Sequence, residues 1–174
     1  MGSQFSPRIL LGRQEIAETV KRLASEISRD YQGRNPLLIG ILKGSFMFMA
    51  DLVRLLDFPL ELEFIGLSSY GREKDSSGKV SVVHGLRSPI KGKDVLVIED
   101  IVDTGLTTAF LLDYLSQEKP ASLKLCALTD KPSRRQVPVN IDYLGLTVPD
   151  KFLVGYGLDW DEKFRNLPDI CVLE

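Results

Sequence analysis

Apolar residues follow two different periods along this chain, and the periods alternate. Ile16, Val20, Leu23, Ala24 and Ile27 recur at helical spacing with charges between them, which predicts an amphipathic helix over Arg13–Tyr31. Gly33 and Pro36 stop it, the first as a C-terminal cap, the second because proline cannot continue a helix. Leu37–Leu42, L-L-I-G-I-L, is a continuous apolar run that suits a strand covered on both faces. Residues 46–56 read as a strongly apolar helix, 60–67 as a strand and 80–83 as a short strand. Residues 94–100 read as the central strand, 107–119 as a helix with Leu111, Leu112 and Leu115 inward, and 123–128 as a further strand. Segments 139–148 and 152–156 are β-like, and 170–173 reads as a last strand. Strands alternating with helices predict an α/β fold: a mainly parallel, twisted sheet with helices on both faces, in one domain over 1–174.

In such sheets ligands bind beyond the strands' carboxyl ends. Lys43-Gly44, the run from Asp100 to Thr107 and the basic turn from Lys131 to Arg135 all follow predicted strands, so three loops are expected to meet at one crevice. Residues 68–79 form a polar run almost without apolar positions. It reads equally as a surface loop without a role and as a lid over a site.

The chemistry concentrates in V-L-V-I-E-D-I-V-D-T-G-L-T-T, residues 95–108. A buried strand ends in two acids, Glu99 and Asp100; a short loop with Asp103, Thr104, Gly105, Leu106 and Thr107 follows, and then a helix start. Loop amides, a helix N-terminus and threonine hydroxyls suit a phosphate. Lysine is absent from the loop, so this is not the nucleotide-binding loop with a Gly-Lys pair. Carboxylates repel phosphate, so the three acids need other partners: ribose hydroxyls, or Mg2+ held directly or through water. A sugar phosphate carrying a metal-bound polyphosphate satisfies the whole stretch. An ordinary strand–loop–helix junction, with a threonine N-cap and solvated acids, satisfies its form as well.

Composition narrows the class. The chain's 174 residues suit one domain with a good-sized core, and 44% apolar with 26% charged residues is ordinary for a globular protein. A net charge of -2 without a dominant basic run argues against extended nucleic-acid binding. Cys126 and Cys171 stand in apolar surroundings and read as buried free thiols of a reducing compartment. No leader-like start is evident, and the longest apolar run is far too short to span a bilayer, so a cytoplasmic location is expected. The single histidine, His84, reads as a surface or structural residue rather than a catalytic one.

E-D-I-V-D-T-G-L-T resembles the phosphoribosyl-pyrophosphate (PRPP) signature of type I phosphoribosyltransferases, in the form of the hypoxanthine-guanine branch. The resemblance extends through L-K-G at Leu42 to Gly44, S-S-Y-G at Ser68 to Gly71, D-K-P-S-R-R at Asp130 to Arg135, V-P-D-K-F-L-V-G-Y-G-L-D at Val148 to Asp159, and Phe164-Arg165. Singly only the signature is specific; jointly the motifs are highly so. The resemblance implies a type I core with a small hood from the chain ends, and transfer of 5-phosphoribosyl from PRPP to hypoxanthine or guanine with Mg2+, giving IMP or GMP and pyrophosphate.

Carried onto this chain, the resemblance implies that Asp103 is the acid beside purine N7, that Thr104 to Thr107 hold the 5′-phosphate, and that Glu99 and Asp100 face the ribose hydroxyls. Lys131 would reach the 6-oxo group, where a cation favours an oxo acceptor over adenine's amino group. Phe152 would stack on the base, Leu153 would offer backbone contacts, and Asp159 would both border the purine and be a Mg2+-associated acid alongside Glu99 and Asp100. Arg165 would grip the pyrophosphate with a planar fork, with Arg135 nearby and Lys43-Gly44 after a cis peptide. Ser69 and Tyr70 would touch the pyrophosphate from a closing loop. Leu106 stands where some relatives carry a polar residue and offers only its amide. A homodimer or homotetramer is implied. The rivals are a xanthine-preferring enzyme, a PRPP-sensing nucleic-acid-binding regulator, and a phosphate-binding domain without PRPP chemistry.

Overall fold

In the computed structural model, which describes residues 6–69 and 80–174, the two most apolar strands lie side by side. Leu37–Leu42 (β2) pairs in parallel with Asp94–Val102 (β5), and also with Glu61–Ser69 (β3). Ser122–Asp130 (β6) continues the parallel sheet beyond β5, followed by Tyr143–Thr147 (β7). Val80–His84 (β4) closes the other edge, antiparallel to β3. The sheet order is β4-β3-β2-β5-β6-β7.

Strand alternation divides the core between two faces. Leu38, Leu96 and Ile98 join the cluster under helices Arg13–Tyr31 (α1) and Phe46–Val53 (α2). Leu37, Ile39, Val95 and Val97 join the cluster under helix Leu106–Gln117 (α3). All five residues expected inward on α1 are buried, together with Thr19 and Tyr31. Each fully buried aliphatic side chain contributes roughly 1.5–3 kcal/mol.

The chain ends build a second, three-stranded sheet. Pro7–Leu11 (β1) pairs antiparallel with Ile170–Leu173 (β9), which pairs with Leu153–Val154 (β8). This hood is tied to the core by polar contacts. The Arg13 amide donates to Asp169 Oδ1 at 2.7 Å, so a carboxylate from the hood caps α1. The Tyr156 hydroxyl donates to Asp51 of α2 at 2.6 Å.

Several boundaries differ from the sequence reading. Helix α2 ends at Val53 rather than 56, because Leu55 and Leu56 turn to bonds with Leu52 and Val53 three residues back. Of 139–148 only Tyr143–Thr147 pairs; Val139 and Ile141 instead pack against the α3-side core. The β-like stretch 152–156 shortens to Leu153–Val154, because Gly155 turns at φ +97°. Strand β1 was not foreseen: its P-R-I-L-L is largely exposed and lacks a clear alternation. Among the described residues no helix is long and apolar enough to cross a membrane.

Candidate active site

From β2 and β5 the chain winds outward in both directions, so their carboxyl ends flank the sheet's switch point. A cavity of about 220 Å³ opens there, between Ile41-Leu42, Leu67, Glu99-Asp100 and the loop from Asp103 to Thr108. A larger cavity, about 570 Å³, lies between α1, α2 and Leu167-Pro168. Its lining is mainly apolar, and its charges are already paired, Arg13 with Asp169 and Asp51 with Arg54. The smaller cavity is the one that carries chemistry.

At its floor stand Glu99 and Asp100, both buried. Burial, and then the neighbouring Asp100 charge, raises the Glu99 carboxyl well above the usual range. Burial also raises Asp100. Two acids held together out of water call for a cation or for hydroxyl donors. Asp100 lies directly against Gly44: a Cβ there would fall 2.1 Å from Asp100 Oδ2. Gly157 of the hood in turn lies against Gly44, since a Cβ would fall 2.0 Å from the Gly44 carbonyl oxygen. Gly44 is thus held between the Asp100 carboxylate of the floor and the hood backbone at Gly157.

The loop after β5 is shaped by Gly105, whose φ of +84° suits glycine and makes it the N-cap of α3. The N-cap residue is this glycine, which has no side chain to cap with, so the threonine N-cap of the ordinary-junction reading is not formed. The first-turn donors and the helix's positive end face the cavity. Thr104 Oγ1 takes only a 3.4 Å bond from the Leu106 amide, while the Thr104 carbonyl accepts from Gln136 at 2.8 Å and fixes the loop to the basic turn. Leu106 is exposed at the helix start.

The basic turn brings cations to Asp103. Arg134 Nε stands 2.9 Å from Asp103 Oδ1, and Lys131 Nζ stands 3.7 Å from Oδ2. Lys131 is buried and donates to the Lys151 carbonyl at 2.9 Å, next to the exposed ring of Phe152. Leu153 is buried in the hood sheet. Asp103 and Lys131 therefore border one another on the β6 side, with Lys131 bonded to the residue just before Phe152. Arg135 pairs with Asp130 and donates to the Asp103 carbonyl at 3.3 Å.

A second cationic group gathers on the β2 side. Arg165 Nη2 is 2.9 Å from Asp159 Oδ1 and 3.5 Å from Glu162 Oε1, and Nη1 donates to the Gly157 carbonyl at 2.7 Å. Lys43 Nζ is 2.8 Å from Glu162 Oε2. The Leu42-Lys43 peptide is cis, as the resemblance implied.

Most of the expected residues thus meet around one crevice, but not all do. Arg135 flanks the loop after β5; among the described residues its partners are Asp130 and Asp103, not the Arg165 group. Ser69 ends β3, and Tyr70 with the rest of 70–79 lies outside the described residues, as does most of the expected lid. Arg134 and Glu162 were not singled out in sequence. Arg134 was visible only as half of a basic pair, and Glu162 only as one acid in a mixed tail.

Among the described residues no group of three or more His, Cys, Asp or Glu forms a metal cage. The buried pair fits a Mg2+ that takes most of its ligands from substrate and water, the habit of this ion.

A family model described as Phosphoribosyl transferase domain matches residues 9–161. The hypoxanthine-guanine phosphoribosyltransferase of Aquifex aeolicus is 48% identical over 168 residues, covering 96% of this chain and 94% of that protein. The bifunctional protein TilS/HprT of Listeria monocytogenes serotype 4b is 45% identical over 167 residues, which cover 96% of this chain but 26% of that protein, so the chain spans about a quarter of its length. The crystal structure of a hypoxanthine-guanine phosphoribosyltransferase (hpt-2) from Bacillus anthracis has a TM-score of 0.91 at 42% identity, covering 98% of this chain and 100% of that one. With the signature loop at the switch point, a hood from the chain ends and likeness along almost the whole sequence, the chain belongs to the phosphoribosyltransferase family, within its hypoxanthine-guanine branch.

Proposed function

We propose that this chain transfers the 5-phosphoribosyl group of PRPP to hypoxanthine or guanine, giving IMP or GMP and pyrophosphate. The observation that carries this reading is the joining of two charged groups across one crevice. Asp103 with Lys131 beside Phe152 suits a 6-oxopurine, and Lys43 with Arg165 suits a diphosphate. Between them lie the carboxylates Glu99 and Asp100 and the helix start at Gly105.

Roles follow from the groups. The amides and hydroxyls from Thr104 to Thr107 take the 5′-phosphate, the loop amides needing no lysine. Glu99 and Asp100 accept from the ribose hydroxyls. Phe152 stacks on the purine, and Lys131, already oriented by the Lys151 carbonyl, donates to the 6-oxo group. The base nitrogen attacks C1 of the ribose as the bond to pyrophosphate breaks. Asp103, within reach of the base edge beside Lys131, receives the N7 proton. Arg165 and Lys43 hold the departing charge. The Glu99–Asp100 pair or Asp159 would hold Mg2+, which would supply charge neutralisation on the diphosphate.

We further read the protein as a cytoplasmic homodimer or homotetramer that acts on small molecules without nucleic acid or membrane partners. Two free, buried cysteines support a reducing compartment. The function is tested by incubating the protein with PRPP, Mg2+ and hypoxanthine or guanine. IMP or GMP should form only with all components present. PRPP binding without nucleotide formation would favour the regulatory rival.

A further inference from the structure

We infer that Glu162 is a built-in stand-in for the diphosphate: its carboxylate holds Lys43 and Arg165 together, and the incoming diphosphate displaces it. The inference rests on the proposed assignment of those two cations to the diphosphate.

The geometry is that of a bridging anion. Glu162 Oε2 lies 2.8 Å from Lys43 Nζ, and Oε1 lies 3.5 Å from Arg165 Nη2. One carboxylate thus spans an ammonium and a guanidinium, as two oxygens of a diphosphate would. The arrangement is closed by Asp159, whose Oδ1 faces Arg165 at 2.9 Å while Oδ2 accepts the Glu162 amide at 2.9 Å. Asp159 and the Gly157 carbonyl keep the guanidinium in place when Glu162 leaves.

A second observation concerns the backbone. Asp161 and Glu162 are the two central residues of a tight turn closed by reciprocal Trp160–Lys163 bonds of 3.1 and 2.9 Å. Both have positive φ, +52° and +62°. That turn favours glycine or asparagine, and glutamate is a poor choice for it. An outlier of this kind points to a role for the side chain, here its projection onto Lys43 and Arg165. The side chains of Glu162 and Lys43 are 64% and 65% exposed, so their contact is screened and easily exchanged, whereas Arg165 is only 20% exposed and stays in place.

An internal anion of this kind weakens ground-state binding of diphosphate and speeds its departure, since the cations are never left bare. The test is titration calorimetry with magnesium pyrophosphate on the wild type, Glu162→Gln, Glu162→Gly and Arg165→Ala. Both Glu162 variants should bind about two- to fivefold tighter, the range that loss of an exposed ion pair supports. KM for PRPP should fall with them while KM for the purine stays unchanged, a split that a merely structural role would not give. Glu162→Gly also relieves the positive φ, so it should melt no lower than the wild type and serves as the folded control. Unchanged or weaker pyrophosphate binding in both variants would overturn the inference. If Arg165→Ala also bound as tightly as wild type, the assignment of the diphosphate to these cations would fall with it. If Arg165→Ala weakened binding and the Glu162 variants did not tighten it, only the stand-in role would fall.

Discussion

At the scale of single residues, the proposed account turns on a few carboxylates in contrasting surroundings. Asp103 faces two cations, Lys131 and Arg134, on the β6 side of the crevice. Asp103→Asn keeps the shape and removes the proposed proton acceptor. It should lower kcat in steady-state assays by an amount at or below the low end of the roughly 10²–10⁴-fold that positioned proton transfer contributes. A kcat equal to wild type would remove Asp103 from the chemistry. Glu99 behaves differently, because burial and then Asp100 raise its carboxyl well above the usual range. An acid raised on folding lends stability that is complete below its unfolded value and is lost as pH rises through its folded value. Ligand-free wild type should therefore lose thermal stability between the ordinary glutamate range and that raised value. Glu99→Gln should flatten this slope and melt higher at its alkaline end, by about 2–4 °C for each kcal/mol relieved. Superimposable melting profiles against pH would contradict the assignment.

At the scale of elements, the buried strands and α1 were the most legible parts. L-L-I-G-I, up to the exposed Leu42, and V-L-V-I are buried on both faces, so their runs announce strands directly, and α1 carries its own periodicity. The signature loop was legible as a helix start, but its cap is Gly105 in the left-handed region rather than a threonine, because the loop is held by the Thr104 carbonyl instead of by a hydroxyl. Contacts between bare backbones left no such mark. Nothing in the sequence says that Gly157 rests on Gly44, 113 residues earlier, because glycine has no side chain to pattern. Gly157→Ala would put a Cβ 2.0 Å from the Gly44 carbonyl oxygen and hold a non-glycine residue at φ +99°. It should destabilise the fold by at least the roughly 1–3 kcal/mol of such backbone strain, and raise KM for PRPP by shifting the Arg165 segment. Denaturant melts and steady-state kinetics read both effects; a variant that matched wild type in stability would contradict the tight hood–loop contact.

At the scale of the whole molecule, the hood was foreseen only through the family resemblance. Its strands are short and its pairs join the two ends of the chain, Pro7 with Leu173 among them. Such distant pairings are invisible to local periodicity, and so is the capping of α1 by Asp169 across 156 residues. The same holds for the site. Its separate loops were legible because each follows a strand in a parallel sheet, but the partnerships across them were not: Asp103 with Arg134, and Lys43 with Glu162. The central claim is that these loops assemble a transferase selective for 6-oxopurines. The most direct test is the ratio of kcat/KM for hypoxanthine to that for adenine, measured with PRPP and Mg2+. With buried Lys131 assigned to the 6-position, the account predicts a ratio of roughly 10⁴ or more, the discrimination reached where the wrong base leaves a buried polar group unpaired. Comparable use of adenine, or hydrolysis of PRPP without transfer to either base, would contradict it.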